Sequence, residues 1–297
     1  MTRAWQLVDG AASPEGRLEL RRRANPSRIR AGAAGNCAAQ PIAGGPAAAI
    51  RKPRSAGSRK ARAPASSTAD SRTDAEGDEY VITLGGRVLM SSIAHRSESA
   101  LADLACRRLA RSERPRVLIG GLGMGFTLRA TLDVVPKSAT ILVAEIDPTI
   151  VRWCRGPLAT LTARATDDPR VNIQLADVAT LIAAAAEAAT KPIHAAARSV
   201  RPDTRPDPRF DAIILDLYEG PRHATQRDAD PFYGRAALAR TRNALTPSGL
   251  FAVWSEEPDP AFETRLTAAA FTWQRHRPGR GGPRHVVYLA HPQARRS

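Results

Sequence analysis

The sequence is poor in aromatic residues and cysteines. Aromatic side chains make up only 5% of the 297 residues, and the interleaving of aromatic and basic residues that direct RNA recognition uses does not occur. The three cysteines, Cys37, Cys106 and Cys154, are odd in number and scattered, which argues against a disulfide framework and a cysteine metal site. We therefore expect a reduced cytoplasmic protein without a metal, and no nucleic-acid partner.

Long apolar runs are also missing. A membrane-spanning helix needs about 20 apolar residues, whereas the most apolar run, Leu181–Ala189, is short, mostly alanine and contains Glu187. Residues 1–10 lack the apolar stretch of a signal peptide. The sequence thus predicts neither a membrane span nor secretion.

The positive charge is concentrated near the N-terminus. The formal net charge is +15, and residues 1–77 hold 14 Lys and Arg against 6 Asp and Glu, a net of +8. Residues 24–77 consist mainly of Ala, Arg, Pro, Ser and Gly, so they cannot bury enough apolar surface to offset their chain entropy. We interpret this segment as a disordered basic insertion. Its Arg and Lys side chains could contact nucleic acid, but a solvated segment without a partner is the simpler interpretation.

The insertion interrupts a small β unit. Leu18-Glu19-Leu20 alternates like a short strand after a Pro-Glu-Gly turn, and the unit is expected to begin near Trp5 within residues 1–23. It resumes in residues 78–114, where Tyr80–Leu84 and Arg87–Met90 flank a Gly-Gly turn typical of a hairpin. Ser97 is then predicted to cap a helix from Glu98 to about Leu109.

Strand and helix patterns alternate in residues 115–297. This order predicts an α/β domain with a doubly wound, mostly parallel sheet, ending in an antiparallel C-terminal hairpin. Lys191–Arg209 is rich in Pro and Arg and is interpreted as a loop or an insertion. The predicted strands are Val117–Ile119, Ile141–Ala144, Val171–Leu175, Phe210–Leu215, Gly249–Trp254, Phe271–His276 and His285–Leu289, and the predicted helices are Phe126–Val134, Thr149–Arg155, Val178–Ala189, Phe232–Leu245 and Pro260–Ala270.

A glycine-rich loop follows the first strand of this domain. Gly120, Gly121, Gly123 and Gly125 fall between that strand and its helix, where glycines allow a sharp turn and a close approach of a ligand to the main chain. The spacing is G-x-G-x-G, and Phe126 stands where a dinucleotide fingerprint needs its third glycine. The loop therefore favours a nucleoside ligand of the S-adenosylmethionine type, the alternative being a simple tight turn.

Carboxylates end the next two strands. Glu145 lies about 20 residues beyond the loop, where it can accept hydrogen bonds from both ribose hydroxyls. Asp177 and the amide of Val178 are placed to meet an adenine amino group and ring nitrogen. Asp177 also precedes a helix, so it fits an N-cap as well, and the two roles are compatible.

The fourth strand ends at Asp216, in the sequence Asp216-Leu217-Tyr218-Glu219. Its position points to the crevice at the carboxyl edge of the sheet, where such folds bind ligands. A carboxylate there could stabilise a sulfonium or deprotonate an attacking amine, so Asp216, Tyr218 and Glu219 are the candidate catalytic residues. The alternative is an aspartate that caps its own loop, and Asp211 is expected to be structural.

Residues 79–289 resemble the spermidine synthase family. The hairpin before Ser97-Glu98, the GGLGMG loop, Glu145-Ile146-Asp147-Pro148, Ala176-Asp177, and Asp216 with Tyr218–Pro221 occur in the family's order. The resemblance implies a class I methyltransferase-like fold. It also implies aminopropyl transfer from decarboxylated S-adenosylmethionine to a diamine, with Glu145 holding the ribose, Asp177 the adenine and Asp216 the reacting amine.

Five positions depart from the family pattern. Gly123 stands where the family has an aspartate that contacts the donor amine, Glu219 replaces a second aspartate, Gly220 replaces a proline, and Arg96 and Ser97 replace a tyrosine and a glutamine or histidine. We expect Arg96 to add positive charge to the pocket and the chain to be a poor spermidine synthase. Three functions stay open: a spermidine synthase-like transferase, an S-adenosylmethionine-dependent methyltransferase, and a non-catalytic nucleoside-binding regulator. The expected partner is a small molecule, with an amine among the candidates, and a homodimer is open.

Overall fold

The computed structural model describes residues 4–24, 77–190, 207–218, 220–221, 227–278 and 285–294. Most of the predicted disordered insertion, residues 25–76, lies outside the described residues. So do residues 191–206 of the predicted Pro- and Arg-rich loop, the candidate site residue Glu219, and residues 279–284 of the C-terminal turn.

The N-terminal part of the chain forms a four-stranded antiparallel sheet in the order β1-β2-β3-β4. Its strands are β1 (Gln6–Ser13), β2 (Gly16–Arg23), β3 (Glu79–Leu84) and β4 (Arg87–Ser91). The predicted Gly-Gly hairpin is present, and both glycines have positive φ, 56° and 83°, as the tight turn requires. Leu18, Leu20 and Ile82 bury one face.

The rest of the chain forms a seven-stranded mixed sheet with helices between the strands. Its order is β10-β11-β9-β8-β5-β6-β7, and β11 runs antiparallel to β9 and β10. The predicted doubly wound, mostly parallel sheet with an antiparallel C-terminal hairpin is therefore confirmed. Its strands are β5 (Arg116–Gly120), β6 (Thr140–Glu145), β7 (Val171–Leu175), β8 (Phe210–Leu215), β9 (Leu245–Ser255), β10 (Phe271–His276) and β11 (Val286–Pro292).

Six α-helices in the described residues cover the two faces of this sheet. They are α1 (Arg96–Cys106), α2 (Phe126–Val134), α3 (Pro148–Arg155), α4 (Val178–Thr190), α5 (Arg235–Ala244) and α6 (Pro260–Ala268). Strand side chains alternate between the faces: Val117 and Ile119 join the core under α1–α3, and Leu118 joins the core under α4–α6. None of the helices in the described part of the chain is long and apolar enough to cross a membrane.

The predicted start of α1 is wrong. Ser97 lies inside the helix, and the residue before the helix is His95, which makes no side-chain capping bond. Since Ser97 has helical backbone, its side chain is not at the capping position, and its hydroxyl donates to Glu98 Oε2 at 2.7 Å. The helix also ends at Cys106, and residues 107–111 form a 3₁₀ turn.

The strand order places the center of the site. β5 lies between β6 and β8. The chain first adds β6 and β7 on one side of β5 and then adds β8 and β9 on the other side. The crevice outside the carboxyl ends of these strands is the usual ligand position in doubly wound sheets. The glycine loop, Glu145 and Asp216 all follow or end these three strands.

The four-stranded sheet is docked on this edge. Asp9 on β1 accepts hydrogen bonds from the Arg152 guanidinium at 2.7 Å and from the Trp153 indole at 2.8 Å, both on α3. Met90 on β4 lies against the glycine loop at Gly123. The first sheet consequently forms a roof over the carboxyl edge of the second.

Candidate active site

A cavity of about 930 Å³ lies between the roof and the carboxyl edge of the large sheet. Residues from both sheets line it, including the β1–β2 turn at Pro14 and Glu15. Gly121, Gly123, Glu145, Asp216 and Tyr218 are the candidate site residues that line this cavity. The structure thus brings together the glycine loop and two of the three strand-end carboxylates.

The glycine loop has a conformation that only glycine tolerates easily. Gly121 has φ +88°, and a Cβ there would lie 2.5 Å from the Asp216 carbonyl oxygen, so any side chain would displace the backbone of the neighbouring strand. The loop amide of Gly121 bonds to the Ala144 carbonyl at 2.9 Å. Gly121 therefore allows the ends of β5 and β8 to approach closely at the cavity floor.

Met90 occupies the space above Gly123. A Cβ on Gly123 would lie 2.5 Å from Met90 Cε and 2.6 Å from its sulfur. A side chain at this position would require the end of the methionine to move, and the positive φ of Gly123, +52°, also favours glycine. Gly123 therefore lies under an apolar side chain of the roof and contributes no acid to the cavity.

Glu145 is buried at the end of β6 and holds the loop in place. Its Oε2 accepts from the Leu122 amide and its Oε1 from the Asp147 amide, each at 2.9 Å. Each carboxylate oxygen retains a second lone pair, so the geometry remains compatible with bonds to a ribose. Ile146, beside it, is 75% exposed and offers an apolar surface at the same end of the cavity.

Asp177 and Val178 lie apart from the cavity lining. Asp177 Oδ1 accepts from the Ala179 amide at 2.8 Å, so the N-cap interpretation describes its contacts. Val178 is buried, and its side chain would contact a Cβ at Gly120. The adenine role of these two residues remains a prediction.

Asp216 lies on the cavity floor with a strong local partner. The Thr127 hydroxyl on α2 donates to Asp216 Oδ2 at 2.5 Å. Removal from bulk water raises the pKa of Asp216 to about 7, the nearby Glu98 carboxylate adds to the rise, and the Thr127 bond opposes it. Near neutral pH this carboxylate can therefore both accept and release a proton.

Tyr218 stands at the edge of the cavity and is 48% exposed. The Arg87 guanidinium on β4 lies over its ring, 5.3 Å from the centroid, within the range of a cation–π contact. Gly220 has φ +62°, a backbone value that proline cannot adopt. The departure from the family pattern at this position therefore reflects a different local backbone.

The expectation that Arg96 contributes positive charge to the pocket is wrong. Arg96 is exposed at the start of α1, and the arginine that lines the cavity is Arg87. Most of the charged residues in the lining are carboxylates. They are Glu15, Glu98, Glu145, Asp147, Asp216 and Glu256.

Several residues at or next to the cavity were not recognised from the sequence. Thr127, which contacts Asp216, is the second residue of α2, and a threonine at this position gave only a weak signal. Trp254, Glu256 and His285 come from the end of β9 and the residue before β11. Strand ends at the carboxyl edge could have indicated the first two, whereas His285 precedes an antiparallel strand and had no such signal.

Asp211 is structural, as expected. It accepts hydrogen bonds from the Arg116 amide at 2.9 Å and from the Thr246 hydroxyl at 3.2 Å. These contacts join β8 to β5 and β9 at the end of the sheet remote from the cavity. The described residues contain no cluster of three or more His, Cys, Asp or Glu side chains arranged to hold a metal ion.

Comparisons with known proteins agree with this architecture. No protein-family model matches the chain. Polyamine aminopropyltransferases of Mycobacterium tuberculosis (strain ATCC 25618 / H37Rv) and Mycobacterium bovis are 27% identical over 183 residues, which is 61% of this chain. The chain spans only about 30% of the length of these relatives.

Solved structures show the same fold. The spermidine synthase of Thermotoga maritima aligns with a TM-score of 0.52 at 16% identity, covering 96% of this chain and 72% of that protein. A spermidine synthase in complex with the transition-state analogue AdoDATO aligns with the same TM-score and coverage. The chain therefore has a spermidine synthase-like fold with a Rossmann-like, methyltransferase-type sheet and a separate N-terminal antiparallel sheet.

Proposed function

We propose that this chain transfers a carbon group from an adenosyl sulfonium to an amine. The observation that carries the proposal is the meeting of Asp216, Glu145 and the glycine loop on one cavity. Glu145 lies at the end that suits a nucleoside, and Asp216 lies at the floor beside the acceptor end. The bound analogue of the neighbouring spermidine synthase supports an S-adenosylmethionine-type ligand here.

Asp216 acts as the base in this proposal. The ionised carboxylate takes a proton from the acceptor ammonium, and the freed nitrogen lone pair attacks the carbon attached to the sulfonium sulfur. A carbon–nitrogen bond forms while the carbon–sulfur bond breaks, and that electron pair remains on sulfur as a neutral thioether. The product amine carries the positive charge, and the proton rests on Asp216 until water or buffer removes it.

The charge of the cavity supports a cationic acceptor. Among the described residues, the lining contains six carboxylates and one arginine, and the arginine lies against the Tyr218 ring at the edge. A lining of one sign concentrates ligands of the opposite sign. Both the sulfonium donor and an ammonium acceptor fit this field.

Methyl transfer is the second candidate because of Gly123. A decarboxylated donor carries an ammonium in place of the amino-acid group, and Gly123, which lies under Met90, offers no acid to bind it. Intact S-adenosylmethionine keeps a carboxylate, which needs no opposing acid there. This observation favours intact S-adenosylmethionine as donor and agrees with the expectation of poor spermidine synthesis.

Calorimetric titration with three nucleosides tests the donor. We expect S-adenosylmethionine and methylthioadenosine to bind, and decarboxylated S-adenosylmethionine to bind more weakly than the intact donor. Turnover of putrescine with the decarboxylated donor should be negligible, and turnover on the order of 1 per second would contradict this. Nucleoside binding without transfer to any amine would indicate the regulatory alternative.

Glu145 provides the matched test of the nucleoside end. Glu145→Ala should weaken methylthioadenosine binding by about tenfold or more, because hydrogen bonds to a charged group are worth about 1.5–3 kcal/mol. Glu145→Gln keeps the size but loses the charge, so it should bind with intermediate affinity. Unchanged affinity in both variants would remove Glu145 from the site.

A further inference from the structure

A row of three side chains at the acceptor end of the cavity has no role in the transfer described above. The Ser97 hydroxyl donates to Glu98 Oε2 at 2.7 Å, and the His285 Nδ1 atom lies 3.2 Å from the same hydroxyl oxygen. Glu98 and His285 line the cavity, and Ser97 is buried behind them. The row therefore connects α1 to the residue before β11.

The direction of these hydrogen bonds follows from the number of protons available. Ser97 has one hydroxyl hydrogen, and the carboxylate 2.7 Å away accepts it. The hydroxyl oxygen is consequently the acceptor towards His285, so Nδ1 of the neutral ring carries its hydrogen and Nε2 holds the lone pair. The edge of the row is held by Trp254, whose ring centroid lies 4.9 Å from that of His285 in a T-shaped contact.

Glu98 lies next to Asp216. The Thr127 hydroxyl bonds to Asp216 Oδ2 at 2.5 Å and lies 3.4 Å from the main-chain carbonyl oxygen of Glu98, and the Glu98 carboxylate is near enough to act electrostatically on Asp216. Since Ser97 uses Oε2, the Glu98 Oε1 atom has no hydrogen bond within the described residues and keeps its lone pairs for a ligand.

A purely structural role explains this row less well. The Ser97–His285 contact joins residues 188 apart in sequence, and it does not cap α1. Leu101 and Val287 already pack in the core that these elements share, so a polar link at the cavity wall is not needed to join them. A carboxylate fixed at a ligand-lined wall is instead what recognition of a cation requires.

We propose that Ser97 and His285 are positioning residues of an acceptor subsite, in which they hold the Glu98 carboxylate so that an ammonium group is bound between Glu98 and Asp216. This inference rests on the proposed transfer to an amine. It adds a second carboxylate to the recognition of the acceptor and assigns the selection of a cationic acceptor to residues of α1 and the end of the chain.

The experiment measures binding of n-butylamine to the full chain saturated with methylthioadenosine, by calorimetry. Ser97→Ala and His285→Leu should each weaken amine binding roughly tenfold, and methylthioadenosine affinity and the melting temperature should stay unchanged. His285→Gln retains an N–H donor towards Ser97 and should restore most of the affinity. His291→Leu is the matched control, because His291 lies on β11 outside the cavity lining and bonds to the Gly249 carbonyl.

Each result decides a separate question. Amine binding that both Ser97→Ala and His285→Leu retain would overturn the positioning role alone. A parallel loss of nucleoside affinity would also overturn it, because that result indicates a general structural role. If the wild-type protein binds methylthioadenosine but not the amine, the amine acceptor and this subsite both fail.

Discussion

At the scale of single residues, the pKa of Asp216 leads to the clearest prediction. Its enclosure in the cavity floor and the neighbouring Glu98 carboxylate raise its pKa to about 7, above the ordinary value of 3.8 for an aspartate. The folded state therefore favours the protonated carboxyl. The stability associated with this proton is present below about pH 4 and is lost as the pH rises through about 7.

Asp216→Asn should consequently stabilise the protein at alkaline pH while abolishing transfer. The amide cannot ionise, so the variant avoids the cost of a buried charge, on the order of 1–3 kcal/mol at pH 8. We expect its melting temperature to exceed that of the wild type at pH 8, and the difference to shrink towards pH 5. Thermal unfolding between pH 5 and pH 8 measures both values.

Thr127→Val gives the opposite comparison. It removes the hydroxyl that stabilises the ionised Asp216, so the pKa of Asp216 should rise further and the loss of stability at alkaline pH should become larger.

The comparison of Asp216→Asn with the wild type also has a contradicting outcome. A difference in melting temperature that does not depend on pH would show that the pKa of Asp216 is not perturbed.

At the scale of elements, the β1–β2 hairpin is held on α3 by one aspartate. The Arg152 and Trp153 hydrogen bonds, with a third from the Gly10 amide, lower the pKa of Asp9 to about 2. The ionised form is thus favoured in the folded state. Its contribution to stability is present above the ordinary aspartate pKa of 3.8 and is lost as the pH falls through about 2.

Asp9→Asn should loosen this hairpin without unfolding the large sheet. The neutral amide has the same size as the carboxylate but lacks the charge that accepts from Arg152 and Trp153. The hairpin is therefore bound less tightly to α3. We expect faster amide hydrogen exchange in residues 6–23, and weaker nucleoside binding because the β1–β2 turn lines the cavity. Glu19→Gln, on the outward pairs of the same hairpin, is the control, and equal exchange in the two variants would contradict the role of Asp9.

At the scale of the whole molecule, the basic insertion connects two strands that are already neighbours. Arg23 at the end of β2 pairs with Glu79 at the start of β3, both in the strand register and through their side chains. A short turn can therefore replace residues 25–76. A shorter connection between two fixed strand ends lowers the entropic cost of loop closure by about 0.6 kcal/mol for each halving of its length.

We expect this deletion to leave the melting temperature nearly unchanged or slightly higher, and methylthioadenosine affinity the same. The segment has almost no large apolar residues to pack, so little stabilising contact is lost. Thermal unfolding and calorimetry of the shortened chain provide the measurement. A fall of many degrees would show that residues 25–76 contribute to the core.

The whole-molecule arrangement also explains why one cavity has two chemical ends. The large sheet supplies the glycine loop, Glu145 and Asp216 at its carboxyl edge, and the roof supplies Met90 and Arg87 from above. Neither sheet encloses the space alone. Loss of the roof should therefore affect ligand binding more than folding of the large sheet.

The sequence by itself determined the elements and the floor of the site. Short apolar runs predicted the central strands of the large sheet, because a strand buried between two helical layers needs apolar side chains on both faces. Phe126–Val134 was predicted with the bounds that the structure shows. The glycine loop, Glu145 and Asp216 were predicted as site residues because the carboxyl ends of parallel strands lie at one edge of the sheet. This rule requires only the positions of the strands in the sequence.

Only the tertiary structure decided the roof and the acceptor end. Met90 above Gly123, Thr127 beside Asp216 and the link from Ser97 to His285 join residues that are 33, 89 and 188 positions apart. No local periodicity encodes such contacts. They arise when the four-stranded sheet docks on the carboxyl edge and when β11 inserts beside β9, and these packing events place a methionine, a threonine and a histidine at positions that single-sequence patterns leave open.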